Sequence, residues 1–198
     1  MGEIMYYIIR HGQTETNRKK ALQGRSDLPL NDAGRVQAAK LGEYFATEGI
    51  TFDAVYSSPL GRAIETAKLV AGEDAPITVE EQIIEMDYGP YEGVSLADPP
   101  KEIVTFFSDF VNNPAPEGME PLTEVQARMG GFADRIRGEG KDGRNVLIST
   151  HAIAMKGALE HLTPESGGTY WSKYVANCAV YVWDETEDGY TIPEEIKY

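Results

Sequence analysis

Apolar positions along this chain follow two alternating periods. Four short runs read as strands: 5–10 (MYYIIR), 52–56 (FDAVY), 145–150 (NVLIST) and 179–184 (AVYVWD). The first and third are apolar on both faces, the pattern of interior strands covered on both sides. Between the strands, apolar residues recur at helical spacing. After Pro29 and Leu30, Asn31 is placed to cap a helix in which Ala38, Leu41 and Phe45 fall at i, i+3 and i+7. Ser58 is placed to cap a second helix, with Pro59 in its first turn and Leu60, Ala63, Ile64 and Ala67 as its buried stripe. Thr123 and Gln126 read as a capping box for a third, whose stripe is Val125, Met129, Phe132 and Ile136. A fourth starts just after His151 and runs through Ile153 to Leu162. Strands alternating with helices predict an α/β fold, a three-layer α/β/α sandwich around a mostly parallel sheet.

The segment 86–122 breaks the alternation. It holds Pro90, Pro99, Pro100, Pro114, Pro116 and Pro121, together with Phe106, Phe107 and Phe110. Proline-rich chain with its own aromatic cluster predicts a packed lid over the carboxyl ends of the strands rather than a linker. The 198 residues suit a single domain that includes this insertion.

Charge narrows the partners. The formal net charge is −14, from 32 acids and 18 bases. Nucleic acid and anionic membranes need a basic face, so both are excluded as expected partners. A small anionic substrate in a local basic pocket remains compatible. The lone cysteine, Cys178, can form no intrachain disulfide and reads as a small buried hydrophobe. Residues 1–4 lead directly into the first strand, with no basic leader and no run of membrane-spanning length. The expectation is a cytoplasmic protein, a monomer or homodimer.

Ligands of open parallel sheets bind beyond the carboxyl ends of the strands. There the first run ends in Arg10 and His11, the second leads to Arg62, and the third ends in Thr150 and His151. Two of the three histidines and two arginines thus gather at equivalent strand ends. Two guanidiniums and a helix N-terminus suit a tetrahedral oxyanion. Neutral imidazole can attack phosphorus, and a second, protonated histidine can donate to oxygens where charge builds up. A carboxyl group is still needed to protonate the leaving alkoxide and later to activate water. Glu85 follows the apolar pair Ile83 and Ile84, which places it partly out of water; Glu80, Glu81, Asp87 and Glu92 are the competitors.

The segment RHGQTETN resembles the signature of the histidine phosphatase, or phosphoglycerate-mutase-like, superfamily. Four further blocks in order are similar to that family: GRSDLPLNDAGRVQAAKLG, VYSSPLGRAIETA, IIEMDYGPYEG and VLISTHA. The resemblance spans essentially the whole chain. It implies His11 as nucleophile and Glu85 as proton donor, with Arg10, Arg62 and His151 clamping the phosphoryl group. It also implies that Asn17 hydrogen-bonds the phosphoryl group, that Gln23 and Gly24 lie where substrate enters, and that Gly12 lets the backbone approach the anion. No cofactor and no metal are implied. One departure is Ala152, where the family usually has Gly.

The superfamily holds both phosphatases and mutases. A mutase retains a second anionic group with extra bases between the acid and the second histidine, yet between Glu85 and Leu122 this chain has one base, Lys101. The expectation is therefore a phosphomonoesterase for small metabolites, with a mutase as the alternative. A non-catalytic phospho-ligand binder is disfavoured by the full set His11, Glu85 and His151. A metallohydrolase is disfavoured because Arg10 and Arg62 repel a divalent cation.

Overall fold

The computed structural model describes residues 5–137, 144–187 and 189–198; residues 1–4, the expected lead-in, lie outside that range. Its sheet contains β1 (Met5–Arg10), β2 (Ala54–Ser57), β3 (Ile77–Val79), β4 (Asn145–Thr150), β5 (Val180–Trp183) and β6 (Glu194–Ile196). The strand order is β3-β2-β4-β1-β5-β6. Pairings among β1 to β4 are parallel, and β5 and β6 add on antiparallel.

Alternate side chains of the central strands supply two separate cores, as the period of a strand requires. Tyr6, Ile8, Tyr56, Val146 and Ile148 face one side; Tyr7, Ile9, Val55 and Leu147 face the other. The second core is closed by α2 (Asp32–Thr47) and α3 (Gly61–Ala71), through Ala38, Leu41, Phe45, Ala67 and Val70. The first is closed by α5 (Leu122–Ile136) and α6 (Ala152–Leu162). Sheet plus two helical layers is the three-layer α/β/α arrangement. The remaining helices are short: α1 (Glu15–Arg18), α4 (Lys101–Ser108) and α7 (Thr169–Ser172). The 86–122 segment contributes Met86, Tyr88, Ile103, Phe106, Phe110 and Met119 to the first core, so its aromatics are packed.

Two caps differ from expectation. Asn31 caps α2 as predicted, its side chain accepting from the Gly34 N–H. Ser58, however, does not cap α3, which starts at Gly61 after Leu60. The Gly61 N–H is taken instead by Asp27, at 2.7 Å. Thr123 lies inside α5, whose N-cap is Pro121 with no side-chain cap bond. A proline there needs no cap for its own missing N–H. Ile64 is only half-buried, because α3 turns Arg62, Thr66 and Val70 inward along with Ala63 and Ala67. Strands β3 and β6 carry no apolar run; both are three-residue edge strands, largely exposed.

Gly12 and Gly34 pack the β1 exit against the start of α2. A Cβ on Gly12 would overlap the Gly34 carbonyl, and one on Gly34 would overlap the Gln13 backbone. The Gly34→Ala protein should therefore lose on the order of 1–3 kcal/mol of stability in urea unfolding. Gly131→Ala, at an exposed helical position whose new Cβ meets only the Gln82 side chain at 3.6 Å, should gain up to about 1 kcal/mol. Equal effects would refute the close-packing account.

Candidate active site

Register brings the histidines together. In the parallel β1–β4 ladder, Arg10 pairs with Thr150, so His11 and His151 leave the sheet side by side. The His11 N–H donates to the Thr150 carbonyl at 3.0 Å, and the ring centroids lie 5.1 Å apart. Ser58 leaves β2 at the same level, its N–H donating to Ser149 at 3.0 Å. Its hydroxyl accepts from the Leu60 N–H at 3.4 Å and meets His151 Nε2 at 2.7 Å.

His11 has two neighbours that between them assign its tautomer. Nδ1 is 2.7 Å from the Gly12 carbonyl, which only accepts, so Nδ1 carries the proton. Arg62 Nε only donates, and it lies 3.2 Å from His11 Nε2, which is therefore the lone-pair nitrogen. Burial holds His11 well below the usual histidine range, reinforced by the charges of Arg10 and Arg62. His151 is held low for the same reasons, burial first, then Arg62, His11 and Arg10.

Both arginines are gripped by backbone. Arg62 is fully buried and donates to the carbonyls of Ser26, at 2.7 Å, and Gly24, at 2.6 Å. Burial brings it down to about 10, against the pull of Glu85. Arg10 donates to the Val175 carbonyl at 2.6 Å. Arg10 Nε, His151 Nδ1 and Gln23 Nε2 are buried without a partner among the described residues. Buried polar groups left unpaired are rare and costly; Arg10 and Gln23 line one cavity, and His151 adjoins His11, which lines it too.

That cavity is about 200 Å³ and is lined by Arg10, His11, Asn17, Gln23, Glu85 and Tyr88, among others. The Glu85 side chain is buried. Its Oε1 accepts from the N–H groups of Met86, at 2.8 Å, and Ala154, at 3.0 Å; Oε2 accepts from Ile153 at 3.3 Å. Glu85 thus caps α6, whose own N-cap residue, His151, makes no side-chain cap bond. The helix N-terminus expected to face an oxyanion has its second and third N–H groups committed to this carboxylate.

The remaining expected residues divide. Asn17 lines the cavity, and its Oδ1 is taken by Thr14 N–H and Asn177, which leaves its amide nitrogen as the donor. Gln23 lines it too, its carbonyl oxygen bonded to the Thr14 hydroxyl at 2.5 Å. Gly24 is not among the lining residues. Its N–H donates to Glu92 and its carbonyl holds Arg62, so it supports the arginine from behind. Gly12 differs from expectation: its N–H donates to Thr66 Oγ1 at 3.1 Å, and the missing side chain makes room for Gly34, not for an anion. His161, the third histidine, pairs with Asp134 at 3.1 Å and lines no part of the cavity.

The profile of the histidine phosphatase superfamily (branch 1) matches residues 6–194. The chain belongs to the histidine phosphatase superfamily. A broad-specificity phosphatase of Saccharomyces cerevisiae is 31% identical over 192 residues, covering 94% of this chain and 81% of its own length. A 2,3-bisphosphoglycerate-dependent phosphoglycerate mutase of Parvibaculum lavamentivorans is 27% identical, with coverages of 96% and 94%. Among solved structures, a mycobacterial glucosyl-3-phosphoglycerate phosphatase superposes with a TM-score of 0.83 at 21% identity, over 98% of both chains, a likeness of fold.

Within this superfamily fold, Ala152 in place of Gly brings no backbone strain: it opens α6 and is not among the residues of positive φ. Sequence reasoning missed Ser58, Asn177 and Lys156 as parts of the site. Asn177 Nδ2 donates to the His11 carbonyl at 3.0 Å. Arg128 also escaped notice; it donates to the carbonyls of Gln82 and Ile84 and pairs with Glu120, fixing the strand of chain that delivers Glu85. Such roles carry no local signal, since each partner is distant in sequence.

Both histidines titrate lower in the folded protein than at their ordinary 6.5. The unfolded chain therefore binds more protons in that window, and stability is full above it and falls as pH drops through it. The unfolding free energy should decline between pH 7 and pH 5 by up to about 1.4 kcal/mol per pH unit for each histidine. Urea melts of His11→Gln and His151→Gln should show a shallower decline than the wild type. Parallel slopes in all three proteins would contradict the assignment.

Proposed function

We propose that this protein is a metal-independent phosphomonoesterase that works through a phosphohistidine on His11. The observation that carries the reading is the lone pair of His11 Nε2, held by Arg62 in a cavity that also contains the unpaired donor Arg10 Nε. A phosphate dianion would take the Nε–H bonds of both arginines, freeing Nε2 to attack phosphorus as the ester P–O bond breaks. Burial first and the arginine charges second keep His151 neutral; the dianion offsets the arginine charges, so a protonated His151 can donate to it. Asn17 and Gln23 contribute amide donors.

Glu85 protonates the departing alkoxide. Oε2, with one long N–H contact, is the oxygen suited to carry that proton. In the second half the carboxylate takes a proton from water, whose oxygen attacks phosphorus; the P–N bond breaks, and inorganic phosphate leaves. His11 and the protonated Glu85 are then restored. Of the 86–122 segment, Tyr88, Leu96 and Phe107 wall the cavity, and Lys101 does not reach it. Similarity to a broad-specificity phosphatase supports hydrolysis over isomerisation.

Brief exposure to substrate should trap an acid-labile, base-stable phosphoryl adduct that His11→Ala abolishes, and turnover should survive a chelator. An adduct retained in His11→Ala would remove His11 from this role. For Glu85→Gln, loss of general acid catalysis should cost roughly 10²–10⁴-fold on alkyl phosphates and clearly less on nitrophenyl phosphate, whose leaving group needs no proton. The ratio within one variant does not depend on the folded fraction. Equal losses on both esters would leave Glu85 with its capping role alone.

A further inference from the structure

Lys156 is a cation that the chemistry above does not use. It lies on α6 one turn beyond Ala152, and both residues line the cavity with Arg10, His11 and Glu85. Its side chain is buried, the residue only 8% exposed. Nζ donates to the Trp171 carbonyl at 2.8 Å and sits 5.2 Å from the centre of the Phe110 ring. An ammonium has three donors, and this contact uses one. No carboxylate among the described residues forms an ion pair with it. Buried charges are ordinarily paired, and here the carboxylate in the same cavity, Glu85, is engaged by three backbone N–H groups.

The position is also fixed in advance. Glu160, one turn along α6, accepts from the N–H groups of Tyr170, at 2.6 Å, and Trp171, at 3.2 Å. That contact anchors the peptide whose carbonyl holds Lys156. The ammonium is therefore set in place before any ligand arrives, which spares a ligand the entropy of ordering it.

We infer that Lys156 is a specificity residue that binds a carboxylate on the alcohol portion of the phosphate ester. The inference rests on the phosphatase reading for where the phosphate sits. Arg10, Arg62 and His151 serve the phosphoryl group, and Lys156 lines the same cavity of about 200 Å³, where the leaving group of a small ester has to be held. The unused donors of Nζ then meet an anion. Burial already brings the Lys156 ammonium down to about 8, and a ligand carboxylate would stabilise its charge. The basic residue expected from the 86–122 segment of a carboxylate-recognising enzyme thus comes from α6 instead.

The test uses a matched pair: 3-phosphoglycerate, and glycerol 3-phosphate, in which a hydroxymethyl group replaces the carboxylate. The wild type should prefer 3-phosphoglycerate in kcat/KM, mainly through KM. A charged hydrogen bond corresponds to about tenfold to hundredfold, and Lys156→Met should bring the ratio of the two substrates down by that factor, with Lys156→Arg restoring part of it. Dissociation constants of the same two compounds, measured by calorimetry on wild type and Lys156→Met, report the discrimination without turnover. If the wild type hydrolyses neither ester yet binds 3-phosphoglycerate selectively through Lys156, the phosphatase reading falls and this one stands. An unchanged ratio in Lys156→Met, by both kinetics and binding, overturns the inference and makes Lys156 a packing residue.

Discussion

The parallel pairing of β1 with β4 is the constraint on which the site depends. One register step beyond Arg10 and Thr150 lie His11 and His151, and the 3.0 Å bond from the His11 N–H to the Thr150 carbonyl carries the ladder past the strand ends. A slip of one residue would turn every side chain of β1 to the opposite core. It would exchange Tyr6 and Ile8 with Tyr7 and Ile9 and carry His11 away from Arg62. The two apolar cores that stabilise the sheet therefore also fix the distance between the two imidazoles.

Around that pair, the protein gathers positive charge in a region of low dielectric. Arg62 is fully buried, yet three of its contacts are with fixed partners: two carbonyls and the His11 nitrogen. Burial, with the charges of Arg10 and Arg62, keeps His11 neutral, and the Arg62 contact defines its lone pair; both histidines bind protons less readily as a result. Part of the cost of burial is deferred to ligand binding. Arg10 Nε, Gln23 Nε2 and His151 Nδ1 have no partner among the described residues, and burial without a partner is unfavourable until a ligand supplies one. The acidity of the rest of the chain is compatible with this, because the cations are concentrated in one buried site, where Glu85, Asp27 and Glu92 act on Arg62.

Several helix ends are completed by residues from elsewhere. Glu85 serves α6, Asp27 serves α3, and Ser58 turns from its expected cap to His151. Each exchange ties a loop of the site to a rigid element. The carboxylate in the cavity thus sits at a helix terminus, held by the N–H groups of Ile153 and Ala154. Arg128 performs the same service one step back, gripping the carbonyls just before Glu85. The geometry of the acid consequently depends on α5 and α6 together.

Sequence by itself determined the layers and the chemical inventory. The two-faced apolar runs of β1 and β4, the Asn31 cap and the stripes of α2 and α5 follow from local periodicity and sterics, which act over a few residues. His11, Arg10, Arg62, His151 and Glu85 were legible because their residue types recur at strand ends in the order of a known family. Tertiary structure alone decided who pairs with whom. The Glu85 contact to Ile153 spans 68 positions and the Ser58 contact to His151 spans 93. Gly12 looks like a residue shaped for an anion until α2 is seen to press on it. Edge strands β3 and β6 are too short and exposed to show a pattern. Lys156 reads as one more helix surface lysine, because nothing within its own helix reveals that Phe110 and Trp171 enclose it. Hydrogen-bond satisfaction and charge burial are settled between distant segments, and no local pattern encodes them.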